Sequence, residues 1–175
     1  ADAVFVAGGD GSVGAAAAVL SGSGVAMGVL PCGTGNVWAR GLGLAAPAHP
    51  WSAALLSAAL RQATGSVRNV DLGSCNGRVF LQWAGVGLDG HIVRGVEPRG
   101  RIARCFGRWH YIARGVWLAR SWRGASMRLR GGNTGFEGEM LATVATNVPA
   151  YAGGLATLEP EVRAQDGRLA LWAFR

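Results

Sequence analysis

The chain of 175 residues contains no lysine: all 17 of its basic residues are arginine. A Walker A phosphate loop and a protein-kinase ATP site each need a lysine, and so does a pyridoxal Schiff base. All three are excluded. Acidic residues are scarce as well, ten in all, with none between Asp10 and Asp71. The three cysteines, Cys32, Cys75 and Cys105, stand far apart and form no C-x-x-C pair, so neither a disulfide framework nor a zinc site is indicated. His49, His91 and His110 are scattered and suggest no metal cluster. No apolar run approaches the roughly 18 residues of a membrane-spanning helix, and no signal-peptide pattern is evident. The cytoplasm is the expected location. With 50% hydrophobic and 15% charged residues, the sequence can bury a core and is not disordered. The 29 glycines follow no collagen period, and no internal repeat is seen.

What is present is concentrated at the start. The stretch Gly8-Gly9-Asp10-Gly11-Ser12 follows an apolar run over residues 3–7 and precedes an Ala-rich run over residues 14–20. The runs read as strand and helix. The glycines let the backbone turn tightly and approach a ligand. Backbone N–H groups and a helix N-terminus then face that ligand, an arrangement suited to phosphate. Asp10 would repel phosphate unless a cation lies between them, so the loop suggests a nucleotide with Mg²⁺ rather than a bare anion. Gly9, Gly11 and Gly14 also spell the dinucleotide fingerprint, but its ribose-binding acid, due about 20 positions on, is missing.

A second apolar run, residues 24–30, is closed by Pro31-Cys32-Gly33-Thr34-Gly35-Asn36, and residues 37–44 read as a short helix. Strand, glycine loop, helix, strand, glycine loop, helix is a βαβ order, in which ligands sit beyond the carboxyl ends of the strands. Both loops fall on that edge, as two walls of one phosphate site. Thr34 and Asn36 are candidate donors to phosphate or ribose oxygens. Residues 45–50 read as a loop and residues 51–63 as a packing helix.

From residue 67 the texture changes. Residues 67–72, 78–86, 126–130, 140–146 and 169–174 read as strands, separated by turn chemistry at Asn76-Gly77, Gly131-Gly132-Asn133 and Asp166-Gly167. A domain boundary near residue 66 is expected, giving domains 1–66 and 67–175. The strands are interrupted between Arg99 and Arg123 by seven arginines interleaved with Phe106, Trp109, Tyr111, Trp117 and Trp122. Ile112, Val116 and Ala119 fall on one helical face. Such a helix packs on its domain with a solvated arginine face, or lies on an anionic membrane surface. Nucleic-acid binding is not expected, because no recognition motif accompanies the charge.

Taken together, the two glycine loops, Asn69-Val70-Asp71-Leu72-Gly73, Gly85-x-Gly87-Leu88-Asp89, and Asn147 followed by Gly153-Gly154, Pro160 and Asp166-Gly167 resemble the diacylglycerol kinase catalytic-domain family. More narrowly they resemble its soluble bacterial lipid kinases, which are related to sphingosine kinases. The motifs occur in the family's order and span essentially the whole chain. The resemblance implies a partial three-layer α/β nucleotide-binding domain followed by an antiparallel β-sandwich with an inserted helix. It implies ATP-dependent, Mg²⁺-assisted phosphorylation of a lipid hydroxyl. Gly8, Gly9, Asp10, Gly11, Ser12, Val13 and Gly14 would match the ATP loop, and Gly33, Thr34 and Asn36 the second nucleotide contact. Asp10 would help place Mg²⁺·ATP or the acceptor hydroxyl, and Asp89 matches an acid facing the lipid head group. Asp166, with main-chain carbonyls at Arg163 and Arg168, matches a second, structural Mg²⁺ site. The expected partners are a lipid substrate and the inner, anionic face of a membrane, with no expectation for oligomeric state.

The sequence departs from the family pattern at Ala15, where glutamate is frequent, at Val37, where aspartate is frequent, and at Leu155, the third glycine of a Gly-Gly-Gly run. The family's preceding strand and helix, and its C-terminal Asp-Gly-Glu with the proposed catalytic base, have no counterpart here. The expectation is a fragment, inactive alone. The alternatives are a non-catalytic nucleotide- or lipid-binding remnant and an NAD-kinase-like enzyme. NAD kinases share the first loop, but their Asn-Glu motif is missing.

Overall fold

The computed structural model describes residues 2–44, 53–96, 113, 115–132 and 134–175. Contacts divide the chain into two compact units. The first is Ala1–Trp83 with Asn147–Arg168, and the second is Ala84–Thr146 with Leu169–Arg175. This division differs from the expected boundary near residue 66, because residues 67–83 and 147–168 pack with the first unit.

The first unit opens with strand β1 (Ala3–Gly8), helix α1 (Asp10–Leu20) and strand β2 (Ala26–Pro31). β1 and β2 are parallel, in register from Ala3↔Ala26 to Gly8↔Pro31. Both strands therefore end at the same level, each just before a glycine loop. Helices α2 (Val37–Gly41) and α3 (Ala53–Ala63) follow. The helix expected from residue 51 is seen from Ala53; the loop expected at residues 45–50 lies outside the described residues.

The core of this unit gathers Val13 and Ala17 of α1, Val29 of β2, Trp38 and Ala39 of α2, Ala58 of α3, and Leu81 and Val148. One polar side chain closes the sheet. Gln62 of α3 accepts from Val29 N–H at 2.7 Å and donates to Val29 C=O at 2.8 Å. It thus satisfies the backbone of a residue only 1% exposed.

Residues 67–72 are not a strand. Pairing begins with the hairpin β3 (Gly73–Cys75) and β4 (Arg78–Phe80). Its turn residues Asn76 and Gly77 have φ of 51° and 74°, the left-handed conformations that a tight two-residue hairpin requires. The strand expected over residues 78–86 is broken. β4 stops at Phe80, Leu81 and Gln82 bend, and β5 (Trp83–Gly87) starts afresh. Burial explains the bend: Leu81 is 2% exposed and Gln82 9%, so two consecutive side chains turn inward where a continuous strand would expose one.

In the second unit, α4 (Leu88–Val96) follows β5, and β6 (Ala125–Gly131) and β7 (Thr134–Met140) form a hairpin. β8 (Ala142–Thr146) is the middle strand of a three-stranded sheet between β11 (Ala170–Phe174) and β5. The short strands β9 (Ala150–Tyr151) and β10 (Ala156–Thr157) pair in the first unit. β6 alternates as expected, with Ala125, Met127 and Leu129 less exposed than Ser126, Arg128 and Arg130. Most of the basic segment, residues 97–112 and 114, lies outside the described residues. Residues 115–119 are helical, but the buried positions are Gly115 and Leu118, whereas Val116 is 55% exposed. The apolar face expected through Ile112, Val116 and Ala119 is corrected accordingly at Val116. Leu118 packs so close to Gly95 of α4 that a Cβ there would come within 2.6 Å of it.

The architecture is mixed α/β, built among the described residues from sheets of two or three strands.

Candidate nucleotide site

α1 starts without a side-chain cap. Its N-cap is Gly9, and the first helical bond runs from Val13 N–H to Gly9 C=O at 3.0 Å. The N–H groups of Asp10, Gly11 and Ser12 therefore lack helical acceptors, and the helix dipole adds partial positive charge at the same place. A capping serine or aspartate at position 9 would consume one of these donors; glycine leaves them open to a ligand.

The second glycine loop lies directly against the first. A Cβ on Gly33 would overlap the Gly9 backbone, and one on Gly9 would stand 3.1 Å from Gly33 Cα. The parallel register sets this approach; it demands glycine at position 33 and leaves little room for a side chain at position 9. The two loops therefore do form adjacent walls.

Asp10 sits where they meet. Its Oδ1 accepts from Trp38 N–H at 3.1 Å and from Gln82 Nε2–H at 2.7 Å. Its Oδ2 lies over Gly35, where a Cβ would come within 2.9 Å. The carboxylate is half-buried, ties the start of α1 to the start of α2, and opens onto a cavity of about 190 Å³. Gly11 and Gly14 form one wall of that cavity, and Phe80, Gln82 and Trp83 another. Among the described residues no three His, Cys, Asp or Glu side chains cluster to hold a metal. The donor set fits a cation that arrives already bound to phosphates: one fixed carboxylate for the metal and open amides for the anion.

Residues 1–75 match the family described as "Diacylglycerol kinase catalytic domain". A "Diacylglycerol kinase" of Bacillus subtilis (strain 168) is 27% identical over 176 residues, covering 99% of this chain and 55% of its own length. A "Probable lipid kinase YegS-like" of Pseudomonas aeruginosa (strain UCBPP-PA14) is 32% identical over 164 residues, covering 93% of this chain and 51% of its own length. The chain is thus similar to the diacylglycerol kinase catalytic-domain family, through its first 75 residues and through relatives that bear lipid-kinase names. It spans about half the length of the curated relatives it matches. Among solved structures, "A putative diacylglycerol kinase from Bacillus anthracis str. Sterne" superposes with a TM-score of 0.70 at 25% identity, over 98% of this chain and 56% of that one.

The expected nucleotide residues behave differently from one another. Gly8, Gly9, Asp10, Gly11, Gly33 and Asn36 are brought together. Ser12 and Thr34 are exposed, and the Ser12 Oγ lies back over Gly8, where a Cβ would come within 2.7 Å of it, while Gly14 lies in the second turn of α1 and lines the cavity. Val13 is 2% exposed, so its side chain is core and its N–H is spent within the helix. The Asn36 side chain is not a free donor either. Its Oδ1 accepts from Gly33 N–H at 2.9 Å and its Nδ2 donates to Gly33 C=O at 2.6 Å, closing the loop on itself. Asn36 holds φ of 49°, a conformation that asparagine tolerates better than most residues.

The segment expected to hold a structural metal, Arg163 to Arg168, is exposed except at Ala164, which packs against the core. Asp166 Oδ1 accepts from Arg168 N–H at 2.9 Å. The loop is fastened by Asp71, whose N–H donates to Ala164 C=O at 2.8 Å and whose Oδ2 accepts from Gly167 N–H at 2.7 Å. Asp89 belongs to the second unit, in the first turn of α4. Gly85 makes room for it, since a Cβ there would overlap the Asp89 carboxylate.

The reading of the residues missed three supports. Gln82 bonds Asp10. Asn147, fully buried, donates through Nδ2 to Asp71 C=O at 2.7 Å and Leu81 C=O at 2.9 Å, and through its N–H to Gln82 C=O at 2.7 Å. Arg40 donates to Gly153 C=O at 2.9 Å, beneath a Gly154 whose φ is 83°. Asn147 and Gly153-Gly154 stood among the family motifs, but nothing in the sequence linked them to the loops.

Proposed function

We propose that the protein carrying this chain is a lipid kinase that transfers the γ-phosphoryl group of ATP to the hydroxyl of a diacylglycerol-like lipid. The observation that carries this reading is Asp10: a carboxylate fixed by two neutral donors, at an uncapped helix N-terminus, between two abutting glycine loops. The open amides of Asp10, Gly11 and Ser12 bind phosphate oxygens, and the exposed Thr34 hydroxyl supplies a further donor. The Mg²⁺ that accompanies ATP neutralises the charge that repels an incoming hydroxyl. Asp10 holds that charge in place, and the glycine walls let the phosphates come close to the backbone. The chain's part in catalysis is therefore positioning and electrostatic compensation.

Asp89 is proposed to face the lipid head group. Arg163, Asp166 and Arg168 are proposed as a second Mg²⁺ site, resting on one carboxylate and main-chain carbonyls; the docked loop held by Asp71 supports it. Peripheral contact with an anionic membrane surface, on the cytoplasmic side, is proposed from the arginine-aromatic segment between residues 99 and 123. No described helix is long and apolar enough to cross a membrane.

The test is direct. The whole protein, given Mg·ATP labelled at the γ-phosphate and mixed vesicles containing diacylglycerol, phosphatidylglycerol and a sphingoid base, yields label in extracted lipid. Label that stays in water with every acceptor, while ATP still binds, establishes a non-catalytic binding module instead.

A further inference from the structure

Gln82 is absent from every motif discussed above, yet it makes the shorter of the two bonds to Asp10, 2.7 Å from Nε2 to Oδ1. We propose that Gln82 is a positioning residue that fixes the Asp10 carboxylate for the cation of a bound Mg·nucleotide; this rests on the kinase reading above.

Three observations support it. The first is where Gln82 stands. The strand expected to run from β4 into β5 breaks at Leu81 and Gln82, and the break turns Gln82 inward to 9% exposure. Asn147 holds that bend from behind, bonding Leu81 C=O at 2.9 Å and Gln82 C=O at 2.7 Å. One buried residue, through its side-chain amide at Leu81 and its backbone N–H at Gln82, thus braces the backbone that aims the Gln82 amide.

The second is what the bond does to Asp10. Trp38 N–H and Gln82 Nε2–H both reach Oδ1, so two donors from different segments fix the carboxylate plane. Oδ2 is left over Gly35, on the side of the second loop. A single donor would leave the group free to rotate.

The third is the charge type. Every basic residue in this chain is arginine, and an arginine could make a stronger, bidentate contact here. The position holds a neutral amide instead. A cation would cancel the negative charge of Asp10; an amide orients it and leaves the full charge for a metal. Both residues line the same cavity, so the bond is at the surface a ligand would meet.

The test is a double-substitution cycle on the whole protein, read by calorimetric titration with ADP in the presence and absence of Mg²⁺, with thermal unfolding alongside. Gln82→Leu is expected to weaken Mg·ADP binding about tenfold, as loss of one charge-assisted bond to the metal's carboxylate implies. Binding of ADP without Mg²⁺ stays within about twofold of the unsubstituted protein. In an Asp10→Ala background Gln82→Leu adds less than about twofold, because its acceptor is gone. Gln82→Asn, one methylene too short to reach, follows Gln82→Leu and serves where that variant does not fold. A Gln82 effect that is equal with and without Mg²⁺, or that persists undiminished on Asp10→Ala, makes Gln82 a structural tie only and overturns the proposal. So does an unchanged Mg·ADP affinity in both Gln82 variants. An unsubstituted protein with no affinity for Mg·ADP fails the kinase reading itself, a result distinct from any of these.

Discussion

At the scale of single residues, the site depends on atoms that are absent. Gly33 and Gly9 let two loops touch, and a side chain on Gly33 would occupy the Gly9 backbone. Gly33→Ala is expected to destabilise the fold by about 1–3 kcal/mol, because backbone cannot yield as a flexible side chain does. It should also weaken nucleotide binding; denaturant unfolding and calorimetry read the two effects separately. Asn147 illustrates the opposite dependence. It donates to the carbonyls of Asp71 and Leu81 from a fully buried position. Asn147→Ala leaves both unpaired and is expected to cost roughly 2–4 kcal/mol in urea unfolding. The exposed Arg128–Glu137 pair, at 2.7 Å, is a contrast. The glutamate raises the arginine's pKa above its ordinary value, so the guanidinium stays charged at any pH at which the protein is handled. The contribution of a raised basic pKa is fully present below the unfolded value and is lost only as pH rises through the folded one. No change between pH 5 and 9 therefore arises from Arg128, and Arg128→Ala leaves the unfolding midpoint unmoved.

At the scale of elements, α3 and β2 depend on one amide. Gln62 supplies both hydrogen bonds to the buried backbone of Val29, as a neighbouring strand would. Gln62→Leu is similar in size but offers neither donor nor acceptor, and is expected to cost about 2–4 kcal/mol in thermal or denaturant unfolding. A change below about 0.5 kcal/mol would mean that water reaches this edge of β2. Elements were also where sequence reading succeeded and failed for identifiable reasons. β1, α1, β2 and the hairpin turn at Asn76-Gly77 were legible because apolar runs and glycines mark them locally. The bend at Leu81 and Gln82 was not, since residues 78–86 form one mostly apolar run with no turn signal inside it; the contacts that break it come from Asn147 and Asp10, 65 and 72 positions away. Residues 67–72 carry β-branched and apolar side chains at 67, 70 and 72, yet Asp71 there pairs with Ala164 and Gly167 rather than with a strand. Asn36 read as a ligand donor because its type suits that role; that its amide closes on Gly33 depends on a left-handed backbone no pattern reveals.

At the scale of the whole molecule, two compact units carry different parts of the proposed chemistry. The first holds the glycine loops and Asp10; the second holds Asp89 and the helical residues 115–119. The net charge of +7 is carried entirely by arginine, which suits an anionic surface. The protein is expected to bind vesicles containing anionic lipid and to release them as salt rises, because screening shortens the reach of these charges. Binding that ignores both lipid charge and salt would remove the membrane role.

The central claim is that Asp10 serves phosphoryl transfer rather than merely joining α1 to α2. The most direct measurement compares the whole protein with its Asp10→Asn variant for transfer of labelled γ-phosphate into lipid, at matched thermal stability. Asparagine keeps an oxygen for Trp38 and Gln82 but removes the charge. Transfer is expected to fall at least about a hundredfold, the scale typical of a lost electrostatic contact in a transition state. Transfer at the unsubstituted rate would contradict the account.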